Sequence, residues 1–350
     1  MGLSGIWEMT ARPGPHNLIT DVGGLTVGHA EDTAVQTGVT VIRPNARAVA
    51  AVAVAGGGPG TRETDALAAD TLVEAVDAIV LSGGSVYGLG AADGVTAALG
   101  ASGHGFGLIN IPGVPVSPIV PAAILYDLAN GGDKAWGEAP PYRDLGMRAL
   151  KACSVTPSLG RVGAGYGARA GGGPGGLGSA SVVTHDGLCV GALAAVNSHG
   201  SVRMPGSEVF WAWPFEQDIP HAGWEFGGAR SQPGHAFDLD DWGSAKSNPG
   251  MNGAAPPASG GRTNTTLGCV AVNVALTPAE AQRVAKMALA GIARAIRPAF
   301  APFDGDVVFC LSTGQVNLAV PRPFLLARLG ELAASSLARA IARGVHLAGG

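Results

Sequence analysis

Aromatic residues are scarce, 5 % of the 350-residue chain, so a core built on stacked rings is excluded and Ala, Val, Leu and Ile must fill it. Charge is thin as well: 14 % of residues are charged, with 22 basic against 26 acidic and a formal net charge of −4. No Lys/Arg cluster occurs, which excludes the dense basic face that phosphate neutralisation needs, so no nucleic-acid partner is expected. No run of about 18 apolar residues free of Gly and Pro occurs, and residues 1–15 lack a charged leader followed by a long apolar stretch. Neither membrane spanning nor export is expected, and the cytoplasm is the expected compartment. The four cysteines, Cys153, Cys189, Cys269 and Cys310, lack CxxC spacing and sit in apolar runs. They read as buried thiols rather than as a metal site or a disulfide framework. The eight His form no HExxH or paired pattern, so neither metal nor cofactor is expected.

Gly and Pro are abundant instead, 56 and 24 residues. Gly has no three-residue period, which excludes collagen, and a 47 % hydrophobic share excludes disorder. Short β-branched runs alternate with Ala/Leu-rich stretches. Residues 39–43, 48–55, 77–82 and 188–197 read as strands, the last three apolar enough for burial on both faces. Residues 65–76 and 86–99 read as helices. Buried strands alternating with helices predict a layered α/β domain spanning the chain. Residues 203–261 differ: they hold four of the six Trp, many Gly, Pro and Ser, and little periodicity, and predict a long surface excursion.

Order resumes at Thr265. TTLGCVAVNVA over 265–275 reads as a strand, and Thr277-Pro278-Ala279-Glu280 offers a capping box with Pro at the first helical position. Val284, Met287, Ala288, Ile292, Ala295 and Ile296 then recur at helical spacing. The turn Phe303-Asp304-Gly305-Asp306 leads into a strand at 307–312, and a last helix covers 323–343. An aperiodic stretch that gives way at one residue to a buried strand is the pattern of a processed hydrolase precursor.

Asn264-Thr265-Thr266 stands at that boundary. Threonine is a poor nucleophile until something takes its proton, and a new N-terminus provides an α-amine of reference pKa about 7.7–8.0. Exposing it requires scission of the preceding peptide bond, by attack of the Thr hydroxyl within the folded precursor. The Gly-rich stretch before it permits the bend. Without context, Asn-Thr-Thr is a weak signal and reads as an ordinary strand start.

The context is a set of ordered motifs: ITDVGGLTVGHA at 19–30, TGVTVI at 37–42, GGGPGTRETDAL at 56–67, SGGSVYGLGAADG at 82–94, PIVPAAILYDL at 118–128, GGLGSAS at 175–181 and the whole of 265–308. Together they resemble the family that contains the L-aminopeptidase/D-esterases, β-aminopeptidases and nylon-oligomer hydrolases, over nearly all of the chain except the excursion. The resemblance implies a four-layer α/β/β/α sandwich of the N-terminal-nucleophile-like type, self-cleaved between Asn264 and Thr265. The α part would be 1–264 and the β part 265–350, staying together in a symmetric oligomer, a tetramer of α/β pairs. It implies Thr265 as nucleophile, as in the nylon-oligomer branch, where the aminopeptidase branch carries Ser.

Other roles carry over by position. Asn197 matches an Asn near the nucleophile whose amide would stabilise the oxyanion; alternatively it ends a buried strand. Asp304 and Asp306 match the acidic pair that orients the nucleophile. A loop cap is the other reading, and a calcium site lacks further acidic ligands. Tyr126 matches a pocket-lining Tyr, or else is a core Tyr with one hydrogen-bond partner. One departure stands out. Many members read Lys-Gly-Gly-Leu-Gly-Ser-Ala-Ser where this chain has Pro174 before Gly175, and Pro donates no proton. No Lys lies between Lys151 and Lys246, and Arg169, the nearest cation, supplies charge only. Gly83-Gly84-Ser85 and Gly163-Ala164-Gly165 lack the Lys-Ser/Thr of a phosphate loop and read as close backbone packing. His199 reads as a surface-loop residue, and the aromatic run at 210–215 as a core cover or a subunit contact. The expected substrates are linear amides such as 6-aminohexanoate oligomers. The alternatives are short peptides or amino-acid amides trimmed by an aminopeptidase, and an unprocessed homologue without catalysis.

Overall fold

The computed structural model describes residues 11–349 apart from 108, 110, 220, 233–236, 250–263 and 319. In chain order the principal elements are β1 (Leu25–Asp32), β2 (Thr37–Pro44), β3 (Ala48–Val54), β4 (Ile79–Ser82), α1 (Gly90–Ala101), β5 (Ala122–Ile124), α2 (Tyr142–Lys151), β6 (Gly176–Thr184), β7 (Cys189–Asn197), β8 (Thr265–Val274), α3 (Pro278–Ala295), β9 (Val307–Val316) and α4 (Arg322–Leu347). Seven strands form one sheet in the order Ala11–Arg12, β6, β7, β8, β9, β3, Ala75–Val76. Five form a second, in the order β1, β2, β4, β5, Thr61–Arg62. β8 runs parallel to β9, and β4 parallel to β5.

Strand alternation explains the layers. All ten residues of β8 are buried, and successive side chains enter opposite cores. Val270, Val272 and Val274 join the core under α3 and α4, while Leu267, Cys269 and Ala271 join the core between the sheets. A third core holds Val39, Val41 and Val80 against Val95, Leu99 and Leu145 of α1 and α2. The result is the four-layer α/β/β/α sandwich. Helix α3 begins as its sequence dictates: Glu280 N–H donates to Thr277 Oγ1 (3.3 Å), Thr277 N–H donates back to Glu280 (2.9 Å), and Pro278 opens the helix. No described helix is long and apolar enough to cross a membrane. Cys189, Cys269 and Cys310 are buried, Cys153 is half-buried, and all four are free thiols.

Two expectations change. Residues 65–76 are not a helix but a short 3₁₀ turn, Asp65–Leu67, followed by the edge strand Ala75–Val76 beside β3. The Thr71 hydroxyl donates to the carbonyls of Ala66 (2.7 Å) and Ala68 (2.9 Å), and a threonine that takes up backbone acceptors in this way competes with helix formation. The 86–99 helix begins as a 3₁₀ turn, Ser85–Leu89, before α1.

The 203–261 stretch is not wholly a surface excursion in its described part; residues 250–261 lie outside the described residues. Phe210, Ala212 and Phe226 are buried in the core under α3 and α4, so the aromatic run covers that core. Glu225 is anchored by Arg339 of α4 through a two-pronged pair, Nε to Oε2 at 2.8 Å and Nη2 to Oε1 at 2.7 Å. Arg339 also donates to Ser181 O (2.9 Å) and Asn17 Oδ1 (2.8 Å), tying β6 and the N-terminal segment to the same point. Removing one member of a buried pair strands the other charge. Arg339→Met is therefore expected to lose about 3–5 kcal/mol in a urea unfolding curve, and Arg339→Met with Glu225→Gln to lose less.

Candidate active site

The β8–β9 pairing sets Leu267 beside Val307, and a further bridge pairs Asn264 with Asp304. Extending a parallel ladder by three residues thus lays the Asn264-Thr265-Thr266 strand start along the Asp304-Gly305-Asp306 turn. Thr266 N–H donates to Asp306 Oδ1 at 2.6 Å, and Gly305 N–H donates to the carbonyl oxygen of Asn264 at 2.9 Å. The hydroxyl of Thr265 donates to the same carbonyl oxygen. Asn264 and Thr265 are each only 4 % exposed. The peptide bond expected to break therefore sits in a dry niche, with a hydroxyl and an N–H both directed at its carbonyl.

The residues 56–58 close the niche from behind. Gly58 N–H donates to Asp304 O (2.7 Å) and Ala55 N–H to Asp306 O (3.0 Å). A Cβ on Gly56 would lie 2.3 Å from Asp304 O, so the close approach of the two backbones requires glycine there.

Asp304 and Asp306 are both buried. Burial raises the pKa of each, and for Asp306 the neighbouring Asp304 charge adds to it. The N–H groups of Thr266 and Phe300 on Asp306, and of His199 and Ala301 on Asp304, hold both carboxyl groups in place. His199 is not on the surface: it is buried, edge-on to Phe303 at 4.5 Å, with Nε2 3.0 Å from Ser247 Oγ. Burial and the charge of Lys246 lower its pKa to about 4, so its ring is neutral.

Asn197 lies directly opposite Thr265 in the antiparallel β7–β8 register. Its Nδ2 donates to Tyr126 O (2.9 Å) and its Oδ1 accepts the Arg169 N–H (2.9 Å). On the Asn264 carbonyl itself, the backbone donor is the Gly305 N–H, beside the Thr265 hydroxyl. Tyr126 lines a cavity of about 320 Å³ together with Asp127, Asn130, Arg169, Asn197 and Lys246. Pro174 pairs with Arg169 in a two-residue ladder.

Lys246 is the residue that sequence reasoning passed over. Its Nζ donates to Asn264 Oδ1 at 2.8 Å. Burial lowers its pKa to about 8, against the opposing pull of Asp304. The available signal was its isolation, a lone Lys in an otherwise Gly- and Trp-rich stretch 18 residues before Asn264. Gly83 and Gly84 sit against Asp127, whose carboxylate accepts the Gly84 N–H at 2.7 Å, and they serve backbone packing.

A threonine hydroxyl directed at a peptide carbonyl, with a backbone donor and two buried carboxyl groups beside it, in an α/β/β/α sandwich, defines a peptide- or amide-bond hydrolase. The chain belongs to peptidase family S58, whose model matches residues 17–349. An uncharacterized aminopeptidase of Mycobacterium tuberculosis is 39 % identical over 94 % of this chain and 93 % of its own. The 6-aminohexanoate-oligomer endohydrolase of Paenarthrobacter ureafaciens is 28 % identical over 87 % and 77 %. Among solved structures, a Burkholderia β-aminopeptidase superposes with a TM-score of 0.65 at 22 % identity, covering 95 % of this chain and 87 % of that one. The L-aminopeptidase D-Ala-esterase/amidase of Ochrobactrum anthropi, described as a variant of the Ntn hydrolase fold, does so with 0.65 at 19 %, covering 95 % and 86 %. The fold is of that type, and the family read from the motifs is the family found.

Proposed function

We propose that the chain is a self-processing amide hydrolase in which Thr265 cleaves the Asn264–Thr265 bond and then serves as the N-terminal nucleophile. The observation that carries this is the shared target of Thr265 Oγ1 and the Gly305 N–H, the carbonyl oxygen of Asn264. Attack joins Oγ1 to the carbonyl carbon and places negative charge on the oxygen that Gly305 already faces. The C–N bond then breaks, the hydroxyl proton ends on the Thr265 nitrogen, and water hydrolyses the resulting ester. Asp306 holds the Thr266 backbone N–H and so aims Thr265, while Asp304, fixed by the N–H groups of His199 and Ala301, braces the turn beside Asn264. In the second reaction the freed α-amine takes the hydroxyl proton, and Asn197, opposite Thr265, supplies an amide donor.

Linear amides such as 6-aminohexanoate oligomers are the first substrate class, supported by Thr at 265 and by the endohydrolase relatives. Release of N-terminal residues from short peptides is the second reading, supported by the relatives named as aminopeptidases. A denaturing gel tests processing. Two bands of about 26 and about 8.5 kDa are expected, the 34.7 kDa chain divided in proportion to 264 and 86 residues. A lasting single band refutes it. Initial rates on 6-aminohexanoate oligomers and amino-acid p-nitroanilides separate the two substrate readings.

A further inference from the structure

Lys246 reaches the cleavage site on a loop that is fastened at several points. Trp242 N–H donates to Asn248 Oδ1 (2.9 Å), and Asn248 Nδ2 donates to Asp241 Oδ1 (2.7 Å), closing the turn around it. Gly172 N–H donates to Ser244 O, Ser201 and Ser244 share a hydroxyl contact at 3.0 Å, and Lys246 N–H donates to His199 O at 2.9 Å. These bonds fix the backbone that carries Lys246, and its side chain is half-buried, so the Nζ–Asn264 Oδ1 bond of 2.8 Å is a built contact rather than a wandering surface charge. The groups facing the ammonium are Asp304, which attracts it, Arg169, which repels it, and neutral His199.

We infer that Lys246 is a positioning residue for self-cleavage: its ammonium clamps the Asn264 side chain, so that the scissile carbonyl stays between Thr265 Oγ1 and the Gly305 N–H, and it faces the carboxyl group of Asp304. Lys246 neither gains nor loses a proton in the step; the hydroxyl proton passes to the Thr265 nitrogen. Without the clamp, Asn264 is free to rotate its carbonyl out of line, and misplacement of about 1 Å costs on the order of 10²-fold in rate. The inference rests on the self-processing reading above and names the residue that sets its geometry.

The sign of the pH dependence follows from the clamp. Lys246 is charged below about 8, so cleavage should decline as pH rises through that value. A lysine acting as proton acceptor would give the opposite slope.

The test is a pulse-chase of the full chain made by cell-free translation, with the precursor's disappearance followed on a denaturing gel from pH 6 to 10. Lys246→Met keeps the stem and removes the charge, Lys246→Arg keeps the charge, and Thr265→Ala serves as the blocked control. Lys246→Met is expected to cleave about 10- to 100-fold more slowly at pH 7, without the decline above pH 8. Lys246→Arg is expected to retain most of the rate and to hold it to higher pH. Wild-type speed in Lys246→Met, or a wild-type rate that climbs through pH 8, overturns the inference while leaving self-processing intact. Absence of cleavage in the wild type defeats both. If Lys246→Met fails to fold by circular dichroism, the Arg profile decides: a limb moved upward supports the clamp, and an unmoved limb refutes it.

Discussion

Thr265→Ala should leave a single 34.7 kDa band and no amide hydrolysis, because the proposed mechanism assigns both reactions to one hydroxyl. The expected fall in turnover is about 10⁴-fold or more, the scale seen when a covalent nucleophile is deleted from an otherwise intact site. The fold should survive. The γ-substituents are lost from a strand whose remaining residues stay buried, so the melting temperature should move by only a few degrees. Thr265→Ser keeps the hydroxyl and should process and turn over. Thr266→Ala is the milder change: its side chain leaves the strand on the face opposite to that of Thr265, and although its hydroxyl beside Asp306 is lost, the backbone N–H that donates to Asp306 is retained. It should still cleave. Intact Thr265→Ala that hydrolysed amide substrate would remove Thr265 from the mechanism.

Much of this site was legible because its parts are local in sequence or lie in strands. The run 265–275 announces a doubly buried strand, Thr277-Pro278-Ala279-Glu280 announces the helix behind it, and Phe303-Asp304-Gly305-Asp306 announces the turn. A parallel β8–β9 pairing then brings Asp304 to Asn264 as a consequence of register alone. The misses have a common physical origin. Composition over 65–76 does not reveal that the Thr71 hydroxyl takes two backbone carbonyls of the preceding turn. Nor does it reveal that Phe210 and Phe226 enter the core, or that Arg339 of α4 holds Glu225 from far away in the chain. Lys246 depends on the same kind of long-range placement. Its loop is fixed by contacts to Gly172, Ser201 and His199, none of which has a spacing signature.

Gly305 leads to the second large effect. Its N–H is the donor on the Asn264 carbonyl, yet glycine is demanded there by space: a Cβ would lie 2.6 Å from Thr265 Oγ1 and 2.9 Å from Gly58 O. The first of these atoms is the attacking oxygen of the proposed mechanism. In Gly305→Ala the new methyl must therefore displace either the hydroxyl from the carbonyl it faces or the turn that carries the N–H. A rotated hydroxyl loses its line of attack, and a shifted turn loses a donor whose removal costs on the order of 10²–10³-fold in comparable oxyanion sites. Precursor conversion should slow by at least about 100-fold, read as the half-time of the intact band. Asp304 and Asp306 remain tied by the N–H groups of His199, Ala301, Thr266 and Phe300, so the folded state should persist, with a cooperative melt. Gly56→Ala provides the contrast, because its Cβ would strike Asp304 O at 2.3 Å, on the far side of the turn from Thr265. It should lower stability more than Gly305→Ala does, since the obstruction is backbone on backbone and no side chain can rotate away. Wild-type conversion by Gly305→Ala would mean that the N–H of Gly305 is not the donor used in the reaction, and that the hydroxyl attacks from a different rotamer.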